Sequence, residues 1–160
     1  MDEKIVSDLN KVSTLKKEDK SLNEEYQALL RESSDNVFSV LKKSLIDNGV
    51  VQDVRFGNND GFFDRDGLQI DICDVEVVEG QKCPRYKWLI DVSFKDGDFK
   101  FKSGPCETDK KVHKFLTRNK KNLLDEVDVS KIDKIVKIED RRKEISGEIF
   151  SLMDEVKRLV

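Results

Sequence analysis

Asp91, Asp98 and Lys100 stand in the order Asp…Asp-x-Lys. A metal-dependent nuclease uses that order to hold a divalent cation on carboxylates beside a lysine. The same three residues are what a solvated hairpin face with paired charges presents. In a chain with 39% charged residues, Asp-x-Lys also arises readily by chance. The solvated face is the preferred reading, so no catalytic residue is assigned and no enzymatic activity is expected. Cys73, Cys83, Cys106 and His113, the single histidine, make up a Cys3His set. Structural zinc sites hold their ligands in close pairs, and these lie far apart, so reduced thiols are expected, with no metal and no cofactor. Asp60, Asp64, Asp66 and Gly67 resemble part of a calcium loop. With Gly67 as its required glycine, Phe62 and Cys73 occupy positions that need carboxylates, and the motif fails. Nothing supports a Ser–His–Asp triad or a glycine-rich phosphate loop.

Two features point to binding. Phe62 and Phe63, followed by Asp64 and Asp66 in a Gly- and Asp-rich stretch, read as a loop tip whose aromatics either fold back on the core or anchor a protein partner, and the pair is the preferred binding-site candidate. The second is charge asymmetry. Residues 51–79 carry eight acids against Arg55 and Arg65, whereas residues 110–121 carry six bases and no acid. On a helix, Lys111, Lys114, Arg118 and Lys121 fall on one face, able to track the phosphates of a nucleic acid, to steer a protein partner by charge, or to pair with the acidic half of the chain. Pairing is the preferred reading. Trp88 and Tyr86 alternate with Ile90, Val92 and Phe94, which makes them core residues rather than stacking platforms.

The elements that position these residues follow from the apolar pattern. Ile135, Ile138, Arg142, Ile145, Ile149, Leu152, Val156 and Leu159 recur at 3 and 4, a heptad stripe over more than three heptads. Ser130 is expected to cap that helix. A helix of about 30 residues is about 45 Å long and needs a partner helix. Ile5, Leu9, Val12, Leu15, Leu22, Tyr26 and Leu29 offer one, with a stammer between Val12 and Leu15. Ser33-Ser34-Asp35 is expected to end this helix and cap a second, which stops at Asn48-Gly49. Pairing within one chain and pairing between copies both remain open. Arg142 at a core position is expected to fix register. Replacing it with leucine is then expected to raise the melting temperature and broaden the oligomer distribution.

Between the helices lies a sheet. Strands are expected from Val50 to Phe56, from Leu68 to Val77 with a bulge near Cys73-Asp74, and in a hairpin turning at Asp96-Gly97. Phe94 should face Phe99, Val92 face Phe101, Asp91 face Lys102 and Ser93 face Lys100. After Gly104-Pro105, Thr108 or Asp109 can cap a helix running to about Val127.

The fold class is therefore α+β: a four-stranded antiparallel sheet flanked by helices, with long N- and C-terminal helices forming a coiled-coil arm. The domain division is 1–34, 35–128 and 129–160. The element order resembles that of the RWD-type heads of kinetochore proteins, without the Tyr-Pro turn of that family. A net charge of −3 over 160 residues excludes a globally basic nucleic-acid binder. No apolar run approaches the roughly 18 residues that span a membrane, and MDEKIVSDLNK has no apolar signal region. An intracellular protein is expected, cytoplasmic or nuclear. Its expected role is non-enzymatic: an adaptor, assembly subunit or small phage-type inhibitor that binds another protein and forms a homo-oligomer through the 135–159 stripe. The alternative is nucleic-acid or other polyanion binding through 110–121.

Overall fold

The computed structural model describes residues 2–56, 61–76, 79–80, 82, 85–102 and 109–160, and of residues 56, 75, 76, 85 and 86 the backbone. Its elements are α1 (Glu3–Asp47), β1 (Arg55–Phe56), β2 (Phe62–Asp64), β3 (Gly67–Glu76), β4 (Arg85–Lys95), β5 (Asp98–Lys102), α2 (Lys110–Arg118), α3 (Lys120–Glu126) and α4 (Val129–Leu159). The fold is α+β, as the apolar pattern predicts. The chain divides into two compact units, Met1–Leu29 with Asp133–Val160, and Leu30–Ile132.

The first unit is a pair of helical segments running antiparallel within one chain. Lys4 meets Glu155 at 3.8 Å, and Arg141 meets Glu18 at 2.8 Å. Ile135, Ile138, Ile145 and Val156 of the predicted stripe are buried. The N-terminal stripe differs from expectation: Leu9 is 41% exposed, while Asp8 is only 3% exposed. The inward series is thus Ile5, Asp8, Val12, Leu15, Asp19, Leu22, Tyr26 and Leu29, an unbroken 3–4 repeat with no stammer. Two aspartates hold apolar positions in it, which hid the repeat from an apolar count. Asp8 Oδ2 is buried with no hydrogen-bond partner among the described residues.

Asp19 explains Arg142. The Arg142 guanidinium donates to Asp19 through Nε at 2.9 Å and to Asn23 Oδ1 through Nη1 at 3.0 Å. Each of the paired side chains is about one-third exposed (32% and 34%). The expectation for leucine at 142 is reversed by this partner, because removing the arginine strands a half-buried carboxylate and an amide. Arg142→Leu alone should lower the urea midpoint, by about 1–2 kcal/mol. Adding Asp19→Leu should restore or exceed the wild-type midpoint, as apolar pairs do when they replace whole ion pairs. A single variant more stable than wild type would contradict this.

The second unit packs helices on one face of an antiparallel sheet. The predicted break at Ser33-Ser34-Asp35 does not occur, and α1 runs through it. Serine favours caps but does not forbid helix, and Val37, Leu41 and Leu45, all 0% exposed, pack into the core immediately beyond. Both serines are buried, and a Cβ on Gly61 would lie 2.6 Å from Ser34 Oγ. Small residues here admit the incoming strand backbone. The predicted stop at Asn48-Gly49 is present: Gly49 has φ +69, and Val50 N–H reaches Leu45 C=O at 3.0 Å, a Schellman closure.

The sheet runs β1-β3-β4-β5, with β2 added on β3. The expected first strand shrinks to Arg55–Phe56, paired with Cys73 and Ile72. The register slip falls between Ile72 and Cys73, where the change of apolar phase placed a bulge. Phe94 opposes Phe99, Val92 opposes Phe101, Ser93 opposes Lys100 and Asp91 opposes Lys102, as read from the sequence. Asp96 (φ 51) and Gly97 (φ 76) form the primed turn. Leu68, Ile70, Ile72, Ile90, Val92, Phe94 and Phe99 join Leu41, Leu45, Val112, Leu116 and Leu123 in one core. Trp88 is only partly buried, and its indole N–H has no hydrogen-bond partner among the described residues. The side chain of Tyr86, Val77 and the Gly104-Pro105 break lie outside the described residues.

Two further corrections concern helix starts. The helix from 110 to 127 is two helices meeting at Asn119. Asp109 caps the first, accepting from Lys111 N–H at 2.9 Å and Val112 N–H at 3.1 Å; Thr108 lies outside the described residues. At α4 the cap is Asp128 rather than Ser130, because Asp128 Oδ1 accepts from both Ser130 N–H and Ser130 Oγ–H.

Candidate functional site

Strand alternation gives the sheet a second, polar face. Opposite the core-facing residues stand Gln69 and Asp71 of β3, Asp91, Ser93 and Lys95 of β4, and Asp98, Lys100 and Lys102 of β5. The register arranges them in rows: Asp71–Asp91–Lys102, then Gln69–Ser93–Lys100, then Lys95–Asp98. Ser93 Oγ donates to Gln69 Oε1 at 2.6 Å. Asp66, Lys95, Lys100 and Lys102 help line a cavity of about 310 Å³ over this face.

The rows separate the nuclease-like residues. Asp91 opposes Lys102 whereas Asp98 opposes Lys95. Four residue steps along the strand separate their rows, roughly 13 Å, so one cation does not bridge the two. Asp98 is taken by Lys120 at 2.9 Å, and that ammonium holds its carboxyl below the usual range. Asp91 instead faces Asp71, one of the eight acids of residues 51–79. The alternation of Leu68, Ile70 and Ile72 already placed Asp71 on the outer face, but its partner depends on the strand register.

Burial pushes the Asp91 carboxyl up to about 7, reinforced by a hydrogen bond and charge repulsion from Asp71. Lys102 opposes the shift, as does the Trp88 indole N–H, which lies nearby without the geometry of a hydrogen bond. Burial, with Asp71 and Asp91 close by, also raises the Cys73 thiol, so Cys73 is a poor nucleophile. Cys83 and Cys106 lie outside the described residues, as does Asp60. Among the described residues no three His, Cys, Asp or Glu side chains are grouped to hold a metal.

The expected loop tip at Phe62 and Phe63 is a strand. β2 pairs with β3 through Phe62–Gln69, Phe63–Leu68 and Asp64–Gly67, closed by a tight turn at Arg65-Asp66. Asp64 Oδ1 accepts from Asp66 N–H at 2.7 Å and from Gln69 Nε2 at 3.3 Å, so the acids of the calcium-like segment shape a turn. Strand alternation splits the aromatics: Phe63 packs on the core, whereas Phe62 is 50% exposed. Asp64 and Asp66 are exposed beside it.

On the basic helices, Val112, Leu116 and Leu123 face the core. Lys111, Lys114, Arg118 and Lys121 are exposed. None of the four forms an ion pair among the described residues, where pairing with the acidic half had been expected; Lys120 alone of the six bases has a partner.

Comparison of the chain with family models, with curated proteins and with solved structures gives no match. No helix of the described residues is long and apolar enough to cross a membrane.

Proposed function

We propose that the protein is a non-enzymatic, intracellular interaction module that binds another protein at the β2 edge. The observation that carries this reading is Phe62. It holds half its surface in water on a three-residue strand whose only strand partner among the described residues is β3. Such an edge offers backbone N–H and C=O groups to an added strand, and the ring supplies an apolar anchor. Asp64 and Asp66 beside it favour a partner with basic side chains. An adaptor, an assembly subunit or a small phage-type inhibitor would use such a surface.

Self-association belongs to the same reading. Ile135, Ile138, Ile145 and Val156 of the 135–159 stripe are buried within the chain, yet Leu159 of the stripe and Val6, Leu9 and Phe150 of the helix-pair unit stay exposed, Phe150 by 75%. These residues support a homo-oligomer built on the outer faces of the coiled coil. Light scattering at 500 mM salt should give a mass above the 18.5 kDa of one chain; a monomer mass removes this part.

The test of the docking edge is Phe62→Ser alone, since Phe63 belongs to the core. Partner recovery on the immobilised variant should fall at least tenfold while its melting curve stays within about 0.5 kcal/mol of wild type, as surface substitutions do. Unchanged recovery on the folded variant rejects the edge.

A further inference from the structure

We propose that α2 and α3 form a docking surface for the phosphate backbone of a nucleic-acid duplex, bound without base readout. The surface is distinct from the β2 edge and does not depend on it. Lys111, Lys114 and Arg118 follow one another at 3 and 4 on α2, and Lys121 follows at 3 on α3. At 1.5 Å of rise per residue the three on α2 span roughly 10 Å, in steps of about 5 Å, and Lys121 follows across the Asn119 junction. A duplex strand presents one phosphate per 3.4 Å of axis, a spacing that flexible side chains of this length can match.

Three observations select this occupant. The four cations have no ion-pair partner among the described residues, and residues 110–121 contain no acid. The apolar side of the helices is already used: Val112 is 1% exposed, Leu116 0% and Leu123 3%. An amphipathic helix that enters a lipid surface needs that side free. The exposed residues from 110 to 121 are Lys110, Lys111, Lys114, Thr117, Arg118 and Lys121, with no apolar anchor for a protein interface and no aromatic for a single-stranded base. Phe115, the one aromatic of α2, packs against the core. What remains is a row of exposed cations, the chemistry that backbone phosphates select.

The experiment is fluorescence anisotropy of a labelled 20-base-pair mixed-sequence DNA duplex with the full chain, from 50 to 200 mM salt. Four phosphate contacts predict a slope of log affinity on log salt of about −3.6, a roughly 150-fold loss over that range. Lys114→Glu with Arg118→Glu should abolish binding at 50 mM salt. The milder Lys111→Gln with Lys121→Gln should halve the slope to about −1.8 and keeps the test open if the charge reversal does not fold. Phe62→Ser should leave duplex binding unchanged, so this proposal and the protein-docking reading fail separately. The proposal is overturned by no binding at 50 mM salt, by binding that survives both double variants, or by a polyglutamate peptide that binds these helices more tightly than the duplex.

Discussion

Asp91→Asn should make the protein more stable at pH 8 and flatten its stability between pH 4 and 7. In the unfolded chain Asp91 gives up its proton near the ordinary 3.8; in the fold it keeps the proton to about 7. Between those values the folded state binds more protons than the unfolded state, so this group's contribution falls as pH rises and levels off above 7. The ceiling on the slope is about 1.4 kcal/mol per pH unit, and solvent at the partly exposed site lowers it. The largest cause is burial, reinforced by the register, which sets Asp71 directly opposite Asp91 on the neighbouring strand, with Lys102 and the Trp88 indole offsetting part of the effect. Asparagine keeps the shape, removes one charge and can donate to Asp71. A gain of about 1–2 kcal/mol at pH 8, shrinking toward pH 4, is expected from urea titrations. Trp88, the single tryptophan and a neighbour of Asp91, reports the transition by its fluorescence. A variant that keeps the wild-type slope between pH 4 and 7 would show that Asp91 is not the group responsible.

Gly67→Ala should be the most damaging single substitution at a turn. Gly67 has φ +90, and an added Cβ would overlap the Phe94 carbonyl oxygen while lying 2.8 Å from Lys95 Cβ. The obstacle is backbone of the central strand β4, fixed by pairing on both sides, so neither partner can give way. Backbone strain and overlap together should cost about 3–5 kcal/mol, enough to unfold much of the sheet unit at 37 °C. Gly97→Ala is the matched control: φ +76 with nothing within 4 Å of the added methyl. It carries the conformational cost alone, about 1–2 kcal/mol. Near-equal urea midpoints for the two variants would contradict the close approach at Phe94.

Local rules made part of this molecule legible. The β4–β5 hairpin could be written down pair by pair, because an Asp-Gly turn fixes both the loop length and the register, and strict alternation fixes the face. The bulge showed as a change of parity between Ile72 and Val75. The 135–159 stripe and the Asn48-Gly49 stop followed from side-chain spacing and from glycine's access to positive φ. Asp8 and Asp19 were hidden because polar residues at core positions look like interruptions until the partner helix supplies a reason, Arg142 in the case of Asp19.

Tertiary structure decided what spacing cannot carry. Whether Ser33-Ser34 caps or continues a helix depends on the packing beyond it, here Val37, Leu41 and Leu45 on the sheet. Whether Asp91 meets Asp98 or Asp71 depends on strand register and on distance along the strand, and Asp98 is claimed by Lys120 from helix α3. Phe62 and Phe63 are identical to a composition count, yet pairing with β3 turns one ring inward and the other outward. The sequence by itself determined the class of fold, the hairpin and the heptad stripe, because these rest on contacts between near neighbours in the chain. The apposed carboxylates, the buried serines and, among the described residues, the lack of ion-pair partners for the basic row were settled only in three dimensions, because each depends on residues that are distant in sequence.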